Sequence, residues 1–307
     1  MAIGVLPGCG VSLPSVGVPS AVNQQISSKH GKKQSQTFAY TGAPQNFTVP
    51  NGVSEVRITA SGASGTIASY SETDGLGGLI KATVAVKPGE VLAIFVGGAG
   101  TFGAGGYNGG GAGGGGKTVS CDTSTCGGNG GGASDVRQGG SSLEDRILVA
   151  GGGGGGAGFR YAAGGGLGGG RKGGAGANGR SDGSVSGGLG GAGGAQHRGG
   201  NGGQGGGSGC PTYCEHGGSG TKGSLGQGGG GGLGYRFAYD AGGGGGGGYY
   251  GGGGGGAGCD LCGQSQSYNS FGGGGSSYAE PSAKHVTEER GRAAPGNGRV
   301  VVSWYPR

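Results

Sequence analysis

Alternation of apolar and polar residues is strongest in the first third of the chain. Val56, Ile58 and Ala60 alternate with Arg57 and Thr59, and Ile80, Ala82, Val84 and Val86 alternate with Lys81, Thr83 and Lys87. A period of two puts the apolar set on one face of a strand and the polar set on the other. Phe47-Thr48-Val49 closes on Pro50-Asn51-Gly52, and Lys87-Pro88-Gly89-Glu90 precedes the apolar run Val91–Val96; both clusters are turn signals. Further strands are predicted at Ser134–Gln138, Arg146–Ala150 and Arg299–Trp304, and the last is expected to pair with early ones. Residues 283–293 contain Glu288, Glu289 and Arg290 but no apolar stripe, so no helix is predicted there. The pattern specifies an all-β, antiparallel fold with one wet face.

Composition changes this picture in the middle of the chain. The 307 residues include 98 glycines, about 32%, against roughly 7% in ordinary domains. Residues 1–96 hold 13 of them, residues 97–275 hold 82 and residues 276–307 hold three. Collagen needs a strict Gly-X-Y period with abundant Pro. Runs such as Gly151–Gly156 and Gly242–Gly248, with 10 prolines in all, exclude it. The chain divides into an arm or linker at 1–36, a first β part at 37–100, and a glycine-rich region at 101–275 with a strand inserted near 146–150. A C-terminal return strand follows within 276–307.

Two readings of the glycine are open. One is a flexible linker. The other is a bundle of three-fold polyglycine helices of polyproline-II shape, each rising about 3.1 Å per residue. Without Cβ atoms such helices approach until backbone groups meet. Ordering 82 glycines costs on the order of 80–160 kcal/mol of backbone entropy, so the bundle needs a clamp, which the flanking strands can supply. Bounded run lengths and recurring cysteine pairs favour the bundle.

Candidate chemistry is sparse. Six of the seven cysteines form close pairs, Cys121/Cys126, Cys210/Cys214 and Cys259/Cys262, with Cys9 left over. They read as local disulfides in an oxidising setting, with Cys9 free or intermolecular. The rival is a four-thiolate zinc site from Cys210, Cys214, Cys259 and Cys262, with His216 in reserve. Gly111–Thr118 fits the P-loop pattern letter for letter, but it lacks the preceding strand and following helix that phosphate binding requires. His30, His197, His216 and His285 are isolated from any nucleophile, and no paired carboxylates stand out, so no catalytic residue and no cofactor is assigned. Asn46-Phe47-Thr48 is a glycosylation sequon placed in a strand.

The net charge is +6, from 21 basic and 15 acidic residues. Half of the excess is Lys29, Lys32 and Lys33 in an arm without acids. No basic stripe with interleaved aromatics supports nucleic-acid binding. No stretch approaches 18 consecutive apolar residues, so no transmembrane helix is predicted. Met1–Gly10 lacks the layout of a secretory signal. The best contact candidates are aromatic clusters between glycine runs: Phe159-Arg160-Tyr161, Tyr235-Arg236-Phe237 with Tyr239, and Tyr249-Tyr250. Such clusters offer amphipathic area at little entropic cost; they can equally cover the ends of the bundle.

Five stretches carry a resemblance. They are Phe47-Thr48-Val49-Pro50, VRITASGASG at 56–65, KPGEVLAIFVGG within 84–98, ILVAGGGGGG at 147–156 and GRVVVSWY at 298–305. Together they resemble the glycine-rich extracellular module of anaplastic lymphoma kinase and leukocyte tyrosine kinase receptors, over roughly residues 38–305. That resemblance implies a jelly-roll sheet like that of tumour necrosis factor, with a polyglycine bundle inserted between its strands. Cytokine binding is not carried over, because no kinase or other receptor part is present. The composition is also similar to that of phage tail-fibre tip adhesins.

The expected protein is non-enzymatic, extracellular or on the exterior of a viral or phage particle. It would assemble with copies of itself, or with other surface proteins, through residues 1–36. The alternatives are an adhesin binding a cell-surface receptor through its aromatic loops, and an ice-binding protein.

Overall fold

The computed structural model describes residues 31–66, 75–101, 103–115, 126–157, 164–181, 185–208, 216–234, 241–261 and 264–306. The fold is all-β, and the described residues form two five-stranded antiparallel sheets. The first has the order β1 (Gln34–Ala39), β14 (Arg299–Trp304), β3 (Glu55–Ser61), β4 (Leu79–Ala85), β13 (Lys284–Glu289). The second runs β12 (Tyr278–Ala279), β7 (Arg146–Ala150), β6 (Ser134–Gln138), β5 (Val91–Phe95), β2 (Gln45–Thr48). Two short ribbons, β8 (Val185–Ser186) with β9 (Gly207–Ser208) and β10 (Asp260–Leu261) with β11 (Gln264–Ser267), lie outside the sheets.

The alternating residues do what their period requires. Val56, Ile58, Ala60, Ile80, Ala82, Val84, Val300 and Val302 of one sheet share a single core with Phe47, Leu92, Ile94, Val136, Leu148 and Ala150 of the other. The expected pairing of the C-terminal strand holds, since β14 lies between β1 and β3. Two boundaries differ from expectation. The arm is shorter than 36 residues, because β1 begins at Gln34. Residues 284–289 form an edge strand whose exposed, charged sequence KHVTEE carries no alternation signal.

From one end of this sandwich the strands run on into glycine. β3 continues as 62–66, 75–78 leads into β4, and β5 continues as 97–100. Likewise 126–133 leads into β6, β7 continues as 151–157, and 268–277 leads into β12. Beyond them the glycine segments form a laterally hydrogen-bonded bundle, as the central segment 251–258 shows. Its amides at 251, 254 and 257 donate to 224, 221 and 218, those at 252 and 255 to 246 and 243, and those at 253 and 256 to 192 and 189. Its carbonyls at 251, 254 and 257 accept from 200, 203 and 206, those at 252 and 255 from 229 and 232, and those at 253 and 256 from 273 and 270. Every third residue therefore addresses the same neighbour, which is the signature of a three-fold helix, and the segment has six neighbours. Segment 241–248 is surrounded in the same way by 228–232, 268–275, 126–133, 251–258, 103–115 and 151–157. No residue of 241–248 or 251–258 has a positive φ, as a left-handed helix of polyproline-II type requires.

Three-fold geometry also gives each helix three rows of Cβ positions. In 251–258 all three rows face neighbouring carbonyls: residues 251 and 254 face 227 and 230, residues 252 and 255 face 273 and 270, and residues 253 and 256 face 201 and 204. A side chain fits at none of these six positions, and the one Cβ of the segment belongs to Ala257 at its end. In 187–195 the rows at 188, 191, 194 and at 187, 190, 193 are closed in the same way, while the third row carries Leu189, Ala192 and Ala195. In 199–207 the third row carries the exposed Asn201 and Gln204. Interior helices are thus near-pure glycine, and surface helices read Gly-Gly-X.

Candidate functional site

The connections between glycine helices alternate between two ends of the bundle, and the two ends differ in character. Turns near the sandwich are tight. Arg146 of β7 donates to the carbonyls of Gly248 at 3.0 Å and Tyr249 at 3.2 Å, tying the 249–250 turn to the second sheet. Its guanidinium carbon lies 4.9 Å from the centroid of the Tyr249 ring. That ring stacks on Tyr278 of β12 at 4.0 Å and meets Tyr250 edge-on at 5.5 Å. Burial lowers the Arg146 pKa and raises that of Tyr278.

A second polar cluster holds the turn at Asn108 against β6. Asp135 and Arg137 are two residues apart on one strand, hence on one face, and their side chains pair at 2.7 Å while almost fully buried. Asn108, held at φ 63°, donates to the Asp135 carboxylate at 2.7 Å and to the Ala133 carbonyl at 2.8 Å. The Arg137 guanidinium lies 3.5 Å from the centroid of the Phe95 ring and donates to the Ser141 carbonyl. Burial raises the pKa of nearby Tyr107, against the opposing charge of Arg137. Sequence reading singled out Tyr249-Tyr250 but not their partners Arg146 and Tyr278, and it missed the second cluster, whose one available signal was the Asp135/Arg137 spacing in a strand otherwise facing a core.

The other end of the bundle is remote from the sandwich. Gly115 and Cys126, Ala157 and Gly164, Gly234 and Ala241 are helix ends on the side away from the sandwich, as their distance along the chain from β6, β7 and the 249–250 turn requires. Phe159, Arg160, Tyr161, Tyr235, Arg236, Phe237 and Tyr239 fall between such ends and lie outside the described residues, as do Cys9, Cys121, Cys210, Cys214 and Cys262. Tyr249 and Tyr250 lie in a turn that packs on the sandwich through Tyr278 and Arg146. Cys126 and Cys259 are both buried and disulfide-bonded. A disulfide removes the Cys259 thiolate that the four-cysteine zinc alternative needs.

Other candidates resolve into structure. The amides of Gly111 and Gly114 in the P-loop-like stretch donate to the carbonyls of Gly245 and Gly242, and that of Gly113 donates to Asn129 Oδ1. They are engaged in the bundle and do not form a phosphate cradle; Lys117 and Thr118 lie outside the described residues. His197, His216 and His285 are exposed and lie on separate segments of the chain, and His30 lies outside the described residues. Asn46 is exposed on β2 beside the buried Phe47. A cavity of about 360 Å³ opens on the outer face of the first sheet, bordered by Thr59, Ser61, Arg292, Asn297 and Arg299, with no histidine, cysteine or carboxylate in its lining. No group of three or more metal-ligating side chains occurs among the described residues, and none of their helices is long and apolar enough to cross a membrane. The chain matches no protein-family model and no curated protein.

Where the bundle meets β13, burial raises the Glu288 carboxyl pKa, with Arg171 partly opposing. A carboxyl whose folded pKa exceeds its unfolded value stabilises the fold least when both states are ionised, so its contribution falls as pH rises through the folded value. Glu288→Gln is therefore expected to raise the unfolding temperature at pH 7 and to leave it unchanged well below the carboxylate range, as thermal scans at the two pH values would show.

Proposed function

We propose that this chain is a non-enzymatic structural protein of an extracellular or particle surface, a rigid scaffold that assembles with copies of itself. The observation that carries this reading is the six-neighbour hydrogen-bonded interior of the bundle. Its donors and acceptors are consumed internally, and its close approaches leave no room for a substrate. The two buried clusters fasten the bundle to the sandwich, so the two parts move as one body. The scaffold resembles in design the glycine-rich receptor modules and the phage tip adhesins named above; kinship with either is part of the proposal. Paired cysteines at Cys121/Cys126, Cys210/Cys214 and Cys259/Cys262 would then shape loops in an oxidising setting.

Assembly is assigned to the arm. A chain lacking residues 1–30 retains β1 and every described element, and it is expected to fold while failing to form fibres or particles under the electron microscope. Normal assembly by the truncated chain would refute the role of the arm.

A second reading is favoured by the placement of connections. The described segments that flank 158–163 and 235–240 end on the side remote from the sandwich, and in a display scaffold the residues between such ends would make the contacts. In that adhesin reading, their replacement abolishes binding to a cell-surface receptor and spares assembly.

A further inference from the structure

The two sheets have four edges, and three of them are blunted. β13 carries Lys284, Glu288 and Glu289, and its pairing with β4 shifts register at a bulge where His285 takes φ 52°. β2 has four residues between Pro44 and Pro50, and β12 has two, followed by Pro281. Charge, bulges, proline and shortness are the devices by which natural sheets discourage pairing with another chain.

β1 carries none of them. Among the described residues its six, QSQTFA, pair with β14 on one side only. They hold no charge and no proline, and all but Phe38 are exposed. At the C-terminal end the Ala39 carbonyl already accepts from Gln45 Nε2 at 2.8 Å, so the open stretch is Gln34–Phe38. Alternate residues of an antiparallel edge strand direct their N–H and C=O groups away from the sheet, where only water or another strand can meet them.

We propose that β1 is a self-pairing edge, joining the first sheets of two copies as antiparallel strands about a two-fold axis. Phe38 faces the core, so a continuous sheet requires a register centred on a residue, Gln36 or Thr37. Both registers are self-complementary. Centred on Gln36, Lys33 falls opposite the second copy's Ala39; centred on Thr37, it falls opposite Thr41. No lysine meets a lysine, and the central residues are uncharged amides and hydroxyls, which pair favourably across strands. An isologous contact of this kind closes at two copies. It shares with the scaffold reading the premise of self-association and adds a contact independent of residues 1–30.

The test uses the full chain. Hydrogen exchange is followed at Gln34–Phe38 while protein concentration is raised through the micromolar range, with sedimentation equilibrium in parallel. Protection of these amides should rise together with a dimer population. In the double variant Gln36→Lys/Thr37→Lys a lysine faces its own copy in either register, and like charges directly opposed are destabilising. The variant should weaken dimerisation by about tenfold or more and lose the concentration-dependent protection, with an unchanged unfolding temperature. Val286→Lys on β13 is the control and should leave both signals intact. Protection at Gln34–Phe38 that does not depend on concentration, or a dimer that survives the double variant, overturns the proposal. Loss of fibres in the chain lacking residues 1–30 while β1 protection persists would separate this contact from the arm's.

Discussion

Gly254→Ala is expected to destabilise the protein by more than about 3 kcal/mol, beyond the usual cost of one extra methyl in a packed core. Gly230→Ala, the same change one helix away, is expected to be neutral or stabilising by up to about 1 kcal/mol. A Cβ at Gly254 would be driven into the Gly230 carbonyl and would lie 2.8 Å from the Gly231 nitrogen, inside the 3.0 Å that Cβ atoms do not breach. The obstacle is backbone, which cannot rotate aside as a side chain can. Moving it would break the bonds that 251–258 makes with its neighbours, including 254 to 221 and 203 to 254. A Cβ at Gly230 meets nothing closer than Thr221 Oγ1 at 3.6 Å and the Ala112 carbonyl at 3.7 Å. The backbone there has no positive φ, so alanine is unstrained and reduces the entropy of the unfolded chain. Urea denaturation of the two variants checks the contrast. Equal stabilities would mean that the interior is loose enough to absorb a methyl, and the close-packed account would fail.

The space around each Cβ position also decided what was legible in the sequence. The β-strands announced themselves through alternation at 56–60 and 80–86, because each strand has one face on a core. That signal identifies faces, not partners, so it gave no hint that 55–61 and 91–95 belong to opposite sheets. β13 was hidden because an exposed edge strand has no buried face to pattern, and Val286 is its only apolar residue. The bundle was written in short triplets such as GGLGGAGGA at 187–195 and GGNGGQGGG at 199–207, and in the unbroken runs at 242–248 and 251–256. A search for one period through the whole chain misses it, since a helix needs glycine only in the rows that face neighbours. Surface helices have a free row and interior helices have none. The local period therefore reports how exposed each helix is. The cluster at Asp135 was beyond reach for a different reason: its third member, Asn108, lies 27 residues earlier in a turn that the sequence does not place.

Asp135→Ala is expected to cost about 3–5 kcal/mol, because it leaves the Arg137 guanidinium buried without its counter-charge. It also removes the carboxylate that accepts from Asn108 Nδ2, one of the bonds that hold the turn of segment 103–115 to β6. The remaining partners of Arg137 are the Phe95 ring, the Ser141 carbonyl and a long contact to Asn108 Oδ1 at 3.4 Å, which do not neutralise it. The Lys284–Glu55 pair serves as the reference. It closes at 2.9 Å, but its side chains are 66% and 51% exposed, so Lys284→Ala should cost no more than about 1 kcal/mol. Replacing the whole buried pair by Asp135→Leu/Arg137→Met should recover much of the loss, since removing both charges leaves none stranded. Urea unfolding followed separately by tryptophan fluorescence from Trp304 in the sandwich and by exchange of bundle amides provides the measurement. Asp135→Ala should split a single transition into two, the bundle opening first, because the cluster is one of the two fasteners between the parts. A loss no greater than that of Lys284→Ala, or a transition that stays single, would mean that strand continuity and the Arg146–Tyr249 cluster suffice to couple the sandwich to the bundle.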